Sequence, residues 1–225
     1  MLVLSIETSC DETSLAFLTD NFPSGKNFLE DSLENNFVDY LNSFEILGHI
    51  IASQIDIHKV FGGVIPEIGA REHANQIHFL FQEVLENSAR KYLELEENMK
   101  NYTKKSQGEI LEIPETKPSQ IKNPVNSKSL EGENTMSINS TKINTTENLI
   151  ESLAEEKITE IKQKILGELD YIFVTATPGL ASALRVGVEF AKTLEFFIDK
   201  NYQNKVTIKN INHLQGHLAS CFWAK

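Results

Sequence analysis

The apolar run Tyr171-Ile172-Phe173-Val174-Thr175 leads through Pro178-Gly179 into helical spacing that continues from Ala181 to about Asp199. Aromatic and β-branched residues in so short a run suit a buried strand, and Pro-Gly permits the sharp turn that opens a helix. A second strand over Val206–Ile211 leads to Asn212 and a helix starting at His213. Strand, glycine turn, helix, strand, helix is the alternation of an α/β fold with partly parallel strands. The chain begins differently, with Leu2–Ile6 and Ser14–Leu18 reading as a β-hairpin joined by polar Glu7–Thr13.

Between these ends the pattern is less regular. Asp20–Ser43, with Pro23-Ser24-Gly25, reads as a loop with some helix, and Glu45–Ser53 as a further strand. Gly62-Gly63-Val64-Ile65-Pro66 marks a turn through which no helix continues. Glu72–Leu95 places Ile77, Leu80, Phe81, Val84, Leu85 and Ala89 along one helical face. From Asn98 to about Ile150 the composition shifts to Asn, Lys, Ser, Thr and Glu, with three of the six prolines and no aromatic between Tyr102 and Tyr171. Little apolar surface is available there to offset a backbone ordering cost of roughly 1–2 kcal/mol per residue. Residues 88–165 are therefore expected to form a polar, largely disordered or loosely helical insertion, with helical pattern returning around Leu149–Leu169. Residues 1–87 and 166–225 then make one α/β lobe. A hairpin lead-in followed by parallel strand–helix units suits the actin-like, sugar-kinase-like (ribonuclease-H-like) architecture, in which two such lobes flank a nucleotide cleft.

Charge narrows the possible partners. The net charge is −11, and the 12 basic and 13 acidic residues of 88–165 leave −10 on the folded part. Arg71, Arg90 and Arg185 are the only arginines. Gripping a phosphate backbone unaided requires clustered cations, so contact with a nucleic acid calls for another lobe or subunit. No apolar run reaches the roughly 18–20 residues of a membrane span. The start lacks the basic and apolar regions of a signal peptide, and Cys10 and Cys221 suggest no disulfide framework, so a cytoplasmic location is expected.

Four groups of residues could carry chemistry. The turn Glu7-Thr8-Ser9-Cys10-Asp11-Glu12-Thr13-Ser14 is nearly all polar. It is either a solvated, self-capped turn or a cradle whose N–H groups face a phosphate while Asp11 orients a metal, water or amine. The stretch from Ser53-Gln54 through His58, Gly62-Gly63 and Pro66 to Arg71-Glu72-His73 signals a constrained backbone, with His58 more in character as a structural hydrogen-bonder than as a ligand. Thr177-Pro178-Gly179-Leu180 opens a helix carrying Arg185 and Lys192, which is a natural anion site, or simply a strand-to-helix turn. It lacks the Gly-Lys-Ser/Thr ending of a P-loop. In Asn212-His213-Leu214-Gln215-Gly216-His217, the two histidines lie four apart on one helical face behind an N-capping Asn212, spaced either to clamp a metal or as unrelated surface groups. A zincin protease is excluded, since Leu214 stands where that signature needs its general-base glutamate.

Taken together and in order, these blocks resemble one family. Ile6–Ser14 is similar to its amino-terminal signature, and Ser53-Gln54 through His58, Gly62–Glu67 and Arg71-Glu72-His73 to its second block. Pro178-Gly179-Leu180, Arg185-Val186-Gly187 and Ala191-Lys192 resemble the third, and Asn212–Leu218 the metal-binding block. The family is the universal tRNA N6-adenosine threonylcarbamoyltransferases, once labelled O-sialoglycoprotein endopeptidases. The resemblance implies an actin-like fold with a metal in the cleft. It also implies transfer of threonylcarbamoyl from threonylcarbamoyl-adenylate to N6 of adenosine 37, in tRNAs reading codons that begin with A. His213 and His217 would bind one divalent ion, iron with zinc as the alternative, and Asp11 and Glu12 fall in the functionally sensitive hairpin. Implied partners are tRNA, the adenylate, a paralogous actin-like subunit and an ATPase subunit, with no membrane.

Three departures from the family pattern bear on activity. The family's third metal ligand, an Asp, and much of its nucleotide site belong to a second lobe beyond Lys225, so a truncated gene, a split gene or a fragment is expected. Thr177 replaces the usual glycine before Pro-Gly-Leu, and the long insertion replaces a short connection. The expectation is a chain that acts when completed by a second lobe. The alternative is a non-catalytic lobe serving only in assembly with a paralogous partner.

Overall fold

The computed structural model describes residues 1–20, 44–106 and 139–223. Its centre is a five-stranded sheet in the order β3-β2-β1-β4-β5. The strands are β1 (Leu2–Glu7), β2 (Glu12–Thr19), β3 (Glu45–Ser53), β4 (Tyr171–Thr177) and β5 (Thr207–Asn212). The hairpin is antiparallel, pairing Leu2 with Thr19 through to Glu7 with Ser14, and β3 continues antiparallel beyond β2. On the other side, β1 runs parallel to β4, and β4 parallel to β5. The sheet is thus antiparallel on one half and parallel on the other, as the sequence alternation implies. Central position explains why Leu2, Val3 and Leu4 are all buried: both faces of β1 are covered. On β2 only alternate residues, Thr13, Leu15, Phe17 and Thr19, are buried.

Because β1, β4 and β5 are parallel, their carboxyl ends share one edge. Glu7, Thr177 and Asn212 therefore lie at the same end of the sheet, where α/β folds place their ligand sites.

Five helices accompany the sheet in the described residues. A short α1 (Ile55–His58) runs into a 3-10 turn at Lys59–Phe61, which ends at Gly62 with φ 74°, a left-handed conformation that favours glycine. The long α2 (Pro66–Ser106) starts at a proline, whose missing N–H costs nothing in a first helical turn. The others are α3 (Asn139–Gly167), α4 (Ala181–Tyr202) and α5 (His213–Trp223). Ile77, Val84, Leu85, Ala89 and Tyr92 of α2 join the core with Ile158, Ile161, Ile165 and Leu166 of α3 and Ala191, Leu194 and Ile198 of α4. Gly48 of β3 admits α2 closely: a Cβ there would stand 2.4 Å from Ser88 Oγ and 2.9 Å from the Val84 carbonyl.

The chain divides into two compact units, 1–95 with 158–225, and 96–157. The first holds the sheet. Among the described residues the second consists of the carboxyl-terminal turns of α2 and the amino-terminal turns of α3, with a Lys100–Glu96 pair at 3.8 Å. The boundaries drawn from composition, 87/88 and 165/166, cut instead through α2 and α3, and Ala89, Tyr92, Ile158, Ile161 and Ile165 are buried beyond them. An amphipathic helix commits only one stripe to the core, so average composition hides that commitment. The expectations for 21–43 and for 107–138 lie outside the described residues. None of the described helices is long and apolar enough to cross a membrane.

Candidate functional site

The site grows from the carboxyl ends of the three parallel strands. Asn212 ends β5, and its Oδ1 accepts the N–H groups of Leu214 at 2.9 Å and Gln215 at 3.3 Å, capping α5. The cap fixes His213 at the first helical position, with His217 one turn on. Their rings stand at 90°, centroids 4.4 Å apart, and the two Nε2 atoms face each other at 2.9 Å.

His213 Nδ1 is held from the far end of the sequence. Glu7 Oε2 lies 3.2 Å from it and Ser9 Oγ 3.1 Å. A carboxylate only accepts, so Nδ1 carries a proton, and Nε2 is the nitrogen that the neutral ring offers as a ligand. Burial pushes the Glu7 carboxyl up. Hydrogen bonds from Ser9, Thr175, the Ser9 N–H and His213 outweigh that, holding it below its ordinary value and in the charged form. The Ser9 N–H donates to Glu7 Oε1 at 2.5 Å. Carboxylate–imidazole pairing of this kind is how proteins orient metal-binding histidines. The donor set therefore fits half of a divalent-cation site: two imidazole nitrogens on one helix face, one anchored from behind. Among the described residues, no third His, Cys, Asp or Glu completes a cluster with them.

The Pro-Gly turn locks the hairpin turn in place. The Leu180 N–H donates to the Ser9 carbonyl at 2.8 Å, and Thr8 Oγ1 donates to the Ala183 carbonyl at 3.0 Å. Close approach requires glycine: a Cβ on Gly179 would meet Ser9 O at 2.6 Å and Ser9 Cβ at 2.8 Å, and one on Gly187 would meet Thr8 Oγ1 at 2.6 Å. The Thr177-Pro178 bond in this turn is cis. Of the cations considered for an anion site, Lys192 pairs with Glu189 of its own helix at 3.1 Å, and Arg185 is exposed. The Leu180 N–H is committed to Ser9, so the first duty of this turn is to position the hairpin.

At the tip of the hairpin, Asp11 is half-buried and Glu12 is exposed at the start of β2. Cys10 is largely exposed, and partial desolvation of its thiol together with neighbouring Asp11 pushes it up, away from a reactive thiolate. Behind the tip lies a buried polar chain that no local pattern announces. The Ile65 N–H lies 3.4 Å from His58 Nδ1, and His58 Nε2 is 3.1 Å from Gln54 Oε1. Gln54 Nε2 is 3.2 Å from His73 Nδ1, and His73 Nε2 is 3.1 Å from the Cys10 carbonyl. Thr13 Oγ1 also reaches His73 Nδ1 at 2.7 Å. With the proton of each ring on Nε2, the other pairings each have a donor and an acceptor, while the Thr13 hydroxyl and the Gln54 amide share the one lone pair of His73 Nδ1. His58 is thus the structural hydrogen-bonder expected of it, whereas the sequence places His73 and Gln54 only in a constrained stretch. The polar residues flanking paired glycines were the available signal, but not a sufficient one.

The family model for tRNA N6-adenosine threonylcarbamoyltransferase (TsaD) matches residues 45–97 and 141–225. Three curated relatives carry the name tRNA N6-adenosine threonylcarbamoyltransferase. The protein from Fusobacterium nucleatum subsp. nucleatum is 30% identical over 222 residues, covering 99% of this chain and 35% of the relative. That from Thermosipho africanus is 41% identical over 86 residues, covering 38% of this chain and 19% of the relative. That from Fervidobacterium nodosum is 28% identical over 224 residues, covering 100% of this chain and 36% of the relative. The chain thus spans about a third of the length of the curated relatives it matches along its whole extent.

Proposed function

We propose that this chain, which belongs to the tRNA N6-adenosine threonylcarbamoyltransferase family, supplies the hairpin turn and the two-histidine half of a threonylcarbamoyl-transfer site. The supporting observation is the pair of facing Nε2 atoms at 2.9 Å, with His213 anchored through Nδ1 to Glu7. His213 and His217 would hold a divalent ion, iron with zinc as the alternative, and a carboxylate from a second lobe would complete the set. When bound, such an ion supplies Lewis-acid polarisation of oxygen atoms near it.

The reaction is acyl transfer. The N6 amine of the tRNA adenosine attacks the carbamoyl carbon of threonylcarbamoyl-adenylate, the bond from that carbon to the phosphate oxygen breaks, and AMP leaves. The amine loses a proton in the process. Asp11, half-buried at the hairpin tip, is the group assigned to position that amine or accept its proton, and exposed Glu12 extends the same acidic edge. Glu7 and Ser9 keep the His213 ring oriented. With a net charge of −11, the chain depends on its partners to hold tRNA. Those partners are the second lobe, a paralogous actin-like subunit and an ATPase subunit, all in the cytoplasm.

The test uses the full chain, with and without a second lobe supplied from a relative, beside a His213→Ala/His217→Ala variant. Metal is measured by elemental analysis, and modified adenosine by nucleoside analysis of tRNA incubated with threonylcarbamoyl-adenylate. Bound metal and product that both disappear in the variant support the reading. Absence of metal and product in every combination overturns it and leaves the non-catalytic assembly lobe.

A further inference from the structure

Two consecutive carbonyls bracket the proposed catalytic carboxylate, and both are held by the same buried unit. The Cys10 carbonyl lies 3.1 Å from His73 Nε2, and the Asp11 carbonyl accepts the Gln54 N–H at 2.8 Å. Two residues on, the Thr13 hydroxyl donates to His73 Nδ1. Gln54 and His73 are 0% exposed, and His58 is 3% exposed. Gln54 can face only one way, because its Nε2 lies 3.4 Å from the Gly69 carbonyl and its Oε1 3.1 Å from His58 Nε2. The Thr13 hydroxyl and the Gln54 amide share the lone pair of His73 Nδ1, and the network ends on the backbone of the hairpin tip. Buried hydrogen-bond networks of this kind rigidify what they touch.

We infer that His73 is a positioning residue for the proposed transfer: it fixes the Cys10–Asp11 peptide, and so the direction of the Asp11 carboxylate, without touching the reacting groups. The inference rests on the proposed function for its catalytic consequence, and on the hydrogen-bond geometry for its structural one. A proton-accepting or amine-orienting group gains its effect from placement, and displacement by about 1 Å can cost on the order of 100-fold in rate.

Three variants of the full chain test it. His73→Leu removes both ring nitrogens, His73→Gln retains an amide donor able to reach the Cys10 carbonyl, and Thr13→Val removes the hydroxyl while disturbing packing least. Amide hydrogen exchange over residues 9–13 is read first, since it needs no activity. Exchange is expected to quicken in His73→Leu and Thr13→Val and to return toward the parent in His73→Gln. In the transfer assay with a second lobe supplied, His73→Leu is expected to lower kcat by about 10- to 100-fold, with KM for the adenylate within about twofold and metal content unchanged. His73→Gln is expected to recover most of the loss. Parental exchange in Thr13→Val, and in His73→Leu where that variant folds, overturns the inference. Faster exchange with undiminished kcat overturns it as well. Absence of transfer in the parent chain counts against the proposed function, while the exchange result still decides whether His73 anchors the turn.

Discussion

His213 Nδ1 and the Glu7 carboxylate meet at 3.2 Å although 206 positions separate them in the chain. Glu7 ends β1 and His213 follows β5, with β4 between the two strands. The contact makes an i, i+4 histidine pair into an oriented one, because the ring that would bind a cation through Nε2 is fixed from its other nitrogen.

Glu7→Gln preserves the shape of this contact and removes its charge. Metal affinity of the completed site is expected to fall by roughly 10- to 100-fold, as it does when other metal-binding histidines lose their supporting carboxylate. Competition with a chelator measures the change. An affinity equal to that of the parent would show that His213 needs no support from Glu7.

Gly179→Ala places a Cβ 2.6 Å from the Ser9 carbonyl oxygen and 2.8 Å from Ser9 Cβ, neither of which is a flexible side-chain end. A loss of about 1–3 kcal/mol in unfolding free energy is expected, read from urea denaturation. Gly216→Ala is the contrasting change, since a Cβ there meets nothing within 4 Å and the position is helical. It is expected to be neutral or to stabilise by up to about 1 kcal/mol. Equal effects at the two positions would contradict the close packing of the Pro-Gly turn on the hairpin.

His73 gives stability a defined pH dependence. Burial holds its imidazole below the ordinary value of 6.5, and neighbouring His58 acts in the same direction; the Cys10 carbonyl, Glu7 and Asp11 oppose the shift without cancelling it. The unfolded chain therefore takes up this proton at a higher pH than the folded chain does. Stability from this group is complete above 6.5 and declines as pH falls from there through the lowered folded value. Glu7, also held below its ordinary value, loses its contribution only in a more acidic window, below 4.5. Urea midpoints at about pH 7.5 and about pH 5.5 are expected to differ less in His73→Gln than in the parent. Identical differences would exclude His73 as the source.

Ile165 lies in the stretch whose composition suggests a polar insertion, yet it is 0% exposed in the core. Ile165→Ala is expected to cost about 2–5 kcal/mol, while Leu153→Ala, at a side chain 53% exposed on the same helix, costs little. Chemical denaturation of the two variants decides whether α3 carries core weight near its carboxyl end.

Local order was legible from the sequence because it depends on neighbours a few positions apart. The apolar runs Leu2–Ile6 and Ser14–Leu18, the four-residue spacing of His213 and His217, the Asn212 cap and the Pro-Gly turn each act over less than two helical turns. Those patterns, in order, also carried the family resemblance. The insertion boundaries were less legible, because a helix such as α3 keeps Ile158, Ile161 and Ile165 buried amid residues that look like solvent-exposed chain. The company each residue keeps arises only on folding: Glu7 with His213, Gly179 against Ser9, His73 beneath Cys10. Strand pairing sets those contacts, bringing β1, β4 and β5 side by side in parallel and aligning the ends of segments that lie far apart in the chain.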